Sequence, residues 1–344
     1  VIGSAEPAAL TRAVIPPTTL SGVVEVGRRE GHPVAAWFAG TGLDPAELTT
    51  SSPVKVSFRQ AAQVLRRAVR AMPDRPLGIR VGARDPLLSF GMLGVAMRSC
   101  ATTADALVLA HELHPAAGSL MDTDVDISGD EIALRLHERL PDPELIAFLC
   151  EEVLSSTVVF LRTLEAADWA PVRVELAYPA PAYAPEYRRF FRCPVEFGAA
   201  TNRMVLPAAV LARRLPTHHE PTRAIAVENC RRLLDLDAAR PDVVVAVETA
   251  LSRNLRHAPT MTDTARRLRL TERTLRRKLT EAGERYSTIR DRVRERRATL
   301  LLRETALTVE AIAHETGFSD ARELRRAYLR WTGQPPSAVR RGPR

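Results

Sequence analysis

Two five-residue runs concentrate reactive side chains at a helical spacing: Arg273-Thr274-Leu275-Arg276-Arg277 and Arg322-Glu323-Leu324-Arg325-Arg326. A guanidinium is planar, permanently charged and presents a fixed fork of N–H donors. It therefore suits paired contacts to phosphate oxygens or to the O6 and N7 edge of guanine. On a helix the leucine of each run points one way and three arginines point the other. Glu323 is the odd member: a carboxylate near nucleic acid either repels phosphate or accepts from a cytosine amino group. One such run is usually a solvated helix face. The same run twice, two residues after a Thr and three after a Ser, points to a repeated unit, so Arg273, Thr274, Arg276, Arg277, Arg322, Glu323, Arg325 and Arg326 are the candidate DNA-contacting residues.

Other reactive side chains fall into no catalytic pattern. His111 and His114 stand at i, i+3, and His218-His219-Glu220 sits beside Pro216 and Pro221; surface side chains and a solvated turn are the expected readings. There is no phosphate-binding GxxxxGK loop, no GxSxG elbow and no HExxH pair. Cys100, Cys150, Cys193 and Cys230 form no CxxC pair, which argues against zinc and disulfides and fits a reducing cytoplasm. Cys193-Pro194 lacks the following His that a methyl-accepting cysteine needs. No enzyme, cofactor or metal site is expected.

The elements that must hold the arginines repeat. Thr260, Ala265 and Thr271 match Thr308, Ala313 and Ser319, each 48 residues later, and one inserted residue then aligns the two arginine runs. Gly283 and Gly333 close the copies. Thr260, with Asp263 three residues on, predicts a capped helix. Thr271 and Ser319 are expected to cap the two arginine helices, and Gly317 to allow a left-handed turn. Between the copies, Ser287 to Leu302 predicts a connecting helix with Ile289, Val293, Leu300 and Leu301 as its buried stripe. Each copy reads as a helix-turn-helix.

Charge follows this division. The chain of 344 residues carries a net +8. From Ala258 to Arg344 there are 21 basic and 11 acidic residues, so the first 257 residues are close to neutral. That asymmetry fits a nucleic-acid-binding module joined to a neutral partner domain. The neutral part predicts helices over 57–72, 105–114 and 143–164, the last apolar nearly all round. It also predicts a hairpin at Val125–His137 and strands near 172–177, 195–197 and 203–206. The expected organisation is an α+β domain over 1–215, a linker with a helix over 216–240, and an all-α domain over 241–344 with two helix-turn-helix units joined by a helix. Neither a secretory signal nor a membrane span is expected.

Residues 240–341 resemble the DNA-binding domain of AraC/XylS-type transcriptional regulators. The resemblance rests on Gly317-Phe318-Ser319-Asp320, Arg325-Arg326-Ala327-Tyr328, Arg330-Trp331-Thr332-Gly333 and Pro335-Pro336-Ser337. It implies two helix-turn-helix units that read successive major grooves of promoter DNA. Leu77-Gly78-Ile79-Arg80-Val81-Gly82, Phe90-Gly91-Met92-Leu93-Gly94 and Cys193-Pro194-Val195-Glu196-Phe197-Gly198 resemble the N-terminal domain of one branch, arabinose-binding by name but diverse in its ligands. Three departures matter: Glu323 replaces a small polar residue, Leu329 replaces a basic one, and Arg269 stands where Gly is more comfortable.

The reading this supports is a ligand-responsive transcription regulator, activator or repressor, whose partners are double-stranded promoter DNA, a small-molecule effector, a second copy of the chain and RNA polymerase. The alternative is an effector-independent DNA-binding protein whose first domain only oligomerises or binds a protein partner. Leu107, Leu109, Phe148, Leu149 and Phe160 are candidate walls of an effector pocket, or plain core.

Overall fold

The computed structural model describes residues 9–48, 54–164, 167–234, 240–253, 255–257, 259–305 and 307–340. The chain divides into two compact units, Val1–Phe38 with Asp44–Ala239, and Ala39–Leu43 with Arg240–Arg344.

The first unit is mixed α and β. Helices α1 (Thr18–Arg29), α2 (Phe58–Ala71), α3 (Leu77–Gly82), α4 (Pro86–Phe90), α5 (Met92–Arg98) and α6 (Thr103–Leu113) precede strands β1 (Met121–Ser128) and β2 (Glu131–Glu138). Then come α7 (Ile146–Leu164), β3 (Arg173–Leu176), α8 (Ala184–Phe191), β4 (Val195–Phe197) and β5 (Asn202–Pro207). The sheet order is β1-β2-β5-β3-β4; only the β3–β4 pair is parallel. The expected hairpin turns at Gly129, whose φ of 56° a residue with a Cβ adopts only under strain. Asp122, Asp124 and Asp126 on β1 pair across it with Arg139, His137 and Arg135.

Helix α7 is the buried axis of this unit, as its all-round apolar pattern implies: Phe148, Leu149, Leu154, Val158, Phe160 and Leu161 are all buried. Helix α3 lies directly on it because two glycines remove the intervening side chains. A Cβ on Gly78 would stand 2.3 Å from the Phe148 carbonyl oxygen, and one on Gly82 would stand 2.1 Å from Ser155 Oγ. Any larger residue at either place must push the two helices apart.

The helix expected in the linker is α9 (Glu220–Leu233), and it docks on α5 with Ala226, Val227 and Cys230 buried. It therefore clusters with the first unit rather than standing in a linker. Pro221 lies in the first turn of that helix, and composition cannot report whether the helix packs. Residues 235–239 of the expected linker lie outside the described residues.

The second unit contains helices α10 (Asp242–Ser252), α11 (Met261–Arg267), α12 (Glu272–Glu281), α13 (Tyr286–Glu304), α14 (Val309–Glu315), α15 (Ala321–Thr332) and α16 (Pro336–Arg340). Its apolar residues form two separate clusters. Val244, Val247, Leu251, Leu268, Leu275, Leu279, Ile289 and Val293 make one. Leu301, Leu302, Ile312, Leu324 and Tyr328 make the other, with Phe318 and Trp331 packed against it. The connecting helix α13 gives its first half to one cluster and its second half to the other. Leu300, expected in its buried stripe, is exposed, and Leu302 is buried in its place. A stripe that serves two partners on different sides rotates partway along the helix, which a single period cannot foresee.

Candidate nucleic-acid interface

In each copy a short helix, a tight turn and a longer arginine helix are locked by the same backbone bonds. The Thr260 side chain accepts from Asp263 N–H while Asp263 accepts from Thr260 N–H, a reciprocal cap on α11. The Thr308 hydroxyl accepts from Ala311 N–H to cap α14. The turns close identically: Leu270 N–H donates to the Ala265 carbonyl at 2.8 Å, and Phe318 N–H donates to the Ala313 carbonyl at 2.9 Å. This geometry requires a left-handed residue. Gly317 supplies it at φ 76°, whereas the first copy forces Arg269 to φ 53°, a strain of about 1–2 kcal/mol.

Thr271 caps α12 through Thr274 N–H at 3.1 Å, as its position predicts. Ser319 does not cap α15; Asp320 does, accepting from Glu323 N–H at 2.7 Å. Thr271 and Asp320 are 49 residues apart, the same offset as the arginine runs. The inserted residue therefore lies within the second turn, before its cap, and Ser319 takes another task. Its N–H and hydroxyl donate to the Glu323 carboxylate at 3.3 and 2.9 Å. Glu323, half-buried, is turned back on the start of its own helix, where a negative charge is favoured by the helix dipole.

Behind this frame the cores fix which way the arginines point. Leu275 and Leu279 are buried on α12, and Arg273, Arg276 and Arg277 are exposed. Leu324, Ala327 and Tyr328 are buried on α15, and Arg322, Arg325 and Arg326 are exposed. Each helix thus carries an outward stripe at i, i+3, i+4. Thr274 is half-buried, its hydroxyl 2.8 Å from that of Thr271. On α12, Arg276 pairs with Glu272 at 2.6 Å and Arg277 with Glu281 at 3.0 Å. On α15, no ion pair among the described residues engages Arg322, Arg325 or Arg326. Exposed Leu329 continues that stripe without charge.

The connecting helix also sets the second turn. Arg294, nearly buried, donates to the Gly317 carbonyl at 2.7 Å, and its guanidinium lies 4.5 Å from the Phe318 ring centre. Trp331 Nε1 donates to Asp291 from the far end of α15. Exposed Arg266 and Arg267, at the end of α11, were not singled out from the sequence, although Arg266-Arg267-Leu268-Arg269 is itself a dense basic run.

The remaining candidates resolve as follows. His219 caps α9, its ring nitrogen accepting from Thr222 N–H. Burial pushes the Cys193 thiol up to about 11, the opposite of an activated nucleophile. His111 and His114 both line a cavity of about 80 Å³ in the first unit. Of the expected pocket walls, Leu107 and Phe160 line that cavity, while Leu109, Phe148 and Leu149 are packed in the core beside it. Among the described residues, no helix is long and apolar enough to cross a membrane, and no group of three His, Cys, Asp or Glu is placed to hold a metal ion.

Known proteins share both halves of this chain. Residues 31–215 match the family described as the arabinose-binding N-terminal domain of AraC transcription regulators. Residues 264–342 match a helix-turn-helix domain family. An uncharacterised HTH-type transcriptional regulator of Mycobacterium tuberculosis is 29% identical over 321 residues, 92% of this chain and 93% of its own length. The ornithine utilization regulator of Pseudomonas aeruginosa is 26% identical over 338 residues, 98% of this chain and 99% of its own. Among solved structures, the transcriptional regulator CdpR of Pseudomonas aeruginosa aligns over 83% of this chain and 92% of its own, at 24% identity and a TM-score of 0.42. With the first family covering more than half its length, this chain belongs to the AraC-type DNA-binding transcription regulators that carry an arabinose-binding-like N-terminal domain.

Proposed function

We propose that α12 and α15 are the two recognition helices and that they enter major grooves about one helical turn, or 10 base pairs, apart on promoter DNA. Arg273, Arg276, Arg277, Arg322, Arg325 and Arg326 contact phosphates and base edges. Thr274 and Glu323 hold the starts of the two helices. The observation that carries this reading is the pair of matched, solvent-exposed arginine stripes, each fixed by buried leucine on the opposite side of its helix. The first unit senses a small molecule, brings two copies of the chain together and so raises affinity by effective concentration. Contact with RNA polymerase, and work in the cytoplasm, complete this reading.

Binding to an operator duplex across a salt series tests it. With roughly 5–8 phosphate contacts per chain, log K falls with log[salt] at a slope of about −5 to −7. A slope near zero removes the DNA-contacting role from these arginines.

A further inference from the structure

Two neighbouring glutamates on α7 are buried, and only one of them is satisfied. Glu151 accepts from the Tyr183 hydroxyl at 2.9 Å, from the Tyr187 hydroxyl and from Gly78 N–H at 2.9 Å. The carboxylate of Glu152, a residue 8% exposed, has no hydrogen-bond partner among the described residues. Burial pushes its pKa up to about 7, and the more distant Arg84 pulls the other way. The Arg84 guanidinium is itself spent on the Val81 and Thr18 carbonyls and on Glu25. A buried carboxylate without partners is costly, and it calls for a group that the chain itself does not provide.

Glu152 opens onto the cavity of the first unit, which lies among α4, α5, α6, α7 and the sheet. It is the single acidic side chain in that lining; no Lys or Arg is there among the described residues. Ser89, 5% exposed, lines the same cavity with its hydroxyl unpartnered. Ser156 and Thr157 line it too, but each spends its proton on the Val153 carbonyl, at 3.0 and 2.8 Å. Their lone pairs are what remain for a guest. On the α7 side of this wall the groups left for a guest are therefore acceptors, and the apolar part is aliphatic or aromatic, with Leu93, Met97, Leu134 and Phe160. A pentose has hydroxyls around its whole ring and would leave several of them against hydrocarbon. An alkanoate would set charge against charge. A group with several N–H donors and a positive charge satisfies the acceptors, and an apolar chain satisfies the wall.

We propose that this cavity binds a small organic cation, an ammonium group on a short apolar chain, with the ammonium on Glu152 and Ser89. This rests on the reading of the first unit as the sensor domain. His111 and His114 lie on the same lining; His114 Nδ1 donates to the His111 carbonyl at 2.8 Å, and its Nε2 faces Asp122 and Arg139. Those contacts occupy the His114 ring, the His111 ring lies 3.4 Å from the Thr123 hydroxyl, and the acceptors of α7 serve as the cation's partners.

Calorimetric titration of the full chain at pH 8 with n-hexylammonium, 1-hexanol and hexanoate tests this. The ammonium binds at least tenfold more tightly than the other two. Glu152→Gln weakens it about 10- to 100-fold while the variant's melting temperature stays level or rises, because an uncompensated charge is removed. Ser89→Ala, which breaks no bond within the protein, weakens it several-fold and guards against a folding artefact at Glu152. Equal binding of 1-hexanol, or ammonium binding that Glu152→Gln leaves unchanged, overturns the proposal. Binding of hexanol or hexanoate that is lost in Val153→Trp, which fills the cavity, overturns the cation and keeps the sensor. No heat with any of the three overturns the cation and takes this cavity out of the sensor reading.

Discussion

The two helix-turn-helix copies share a backbone and differ in how they hold their arginines. Both are closed by the same pair of turn bonds and backed by buried leucines. In the first, a strained Arg269 occupies the left-handed position, and Arg276 and Arg277 are already paired to glutamates. In the second, Gly317 makes the turn without strain, and three arginines stand without ion-pair partners among the described residues. Exposed pairs at i, i+4 are weak, so a competing anion can displace them. On the proposed reading, the second helix meets phosphate and base edges directly, while the first exchanges one set of partners for another. A duplicated scaffold has kept its frame and let its charge environment diverge.

The largest test of that comparison is in the cores. Leu275→Ala and Leu324→Ala each remove a fully buried side chain, and each costs about 2–5 kcal/mol. Because the two leucines belong to different clusters, hydrogen exchange should quicken in α11–α12 for the first and in α14–α15 for the second. The double variant should add the two costs to within about 0.5 kcal/mol. Uniform loss of protection from either change would mean one cooperative core, and the two copies would not be separable.

The turns come next. Gly317→Ala forces a Cβ into the left-handed region and should lower stability by about 1–2 kcal/mol. Arg269→Gly relaxes the same strain in the first copy and should raise stability, offset by the entropy glycine loses on folding. Opposite signs in urea melts support the equivalence of the two turns; equal signs refute it.

Smaller still is the ion-pair contrast. Glu281→Ala frees Arg277 and should tighten operator binding about twofold. Glu323→Ala should leave sequence preference intact, since this carboxylate is spent on Ser319 rather than aimed outward. Acid offers the mildest probe. The hydrogen bonds from Thr260, and then nearby Arg266 and Arg267, hold Asp263 below the usual carboxylate range. A lowered folded pKa contributes stability above the unfolded value that is lost as pH falls through the folded one. Protection of α11 should therefore fade below about pH 4, while α14, whose Thr308 cap lacks the reciprocal acid, should show no matching change.

Much of this was legible before the structure. Periodicity located α2, α6, α7 and β2, because each buries one face or all faces and so repeats at 3.6 or 2 residues; β1 carries the same alternation although Val125 and Ile127 are exposed. The duplicated Thr, Ala and Arg positions located both arginine helices and their outward faces. Tertiary choices were not legible. Cap chemistry does not distinguish Ser319 from Asp320, since both are good caps, and only the turn geometry selects Asp320. Leu300 and Leu302 are alike in sequence, and which is buried depends on where α13 passes from one cluster to the other. Docking of α9 on α5 leaves no composition signal. Glu152 did leave one: two consecutive carboxylates inside an otherwise apolar helix are costly enough to suggest partners or a ligand.

Selection of binding sites from random DNA tests the central claim most directly, with wild type, Arg277→Ala and Arg326→Ala run side by side. The two arginines occupy equivalent outward positions, and a bidentate contact to guanine is worth about 1–3 kcal/mol of discrimination. Each substitution should relax preference in its own patch of the site, with the patches about 10 base pairs apart, and without loss of folded structure. Identical preferences for all three proteins would contradict the assignment of α12 and α15 as a pair of groove-reading helices.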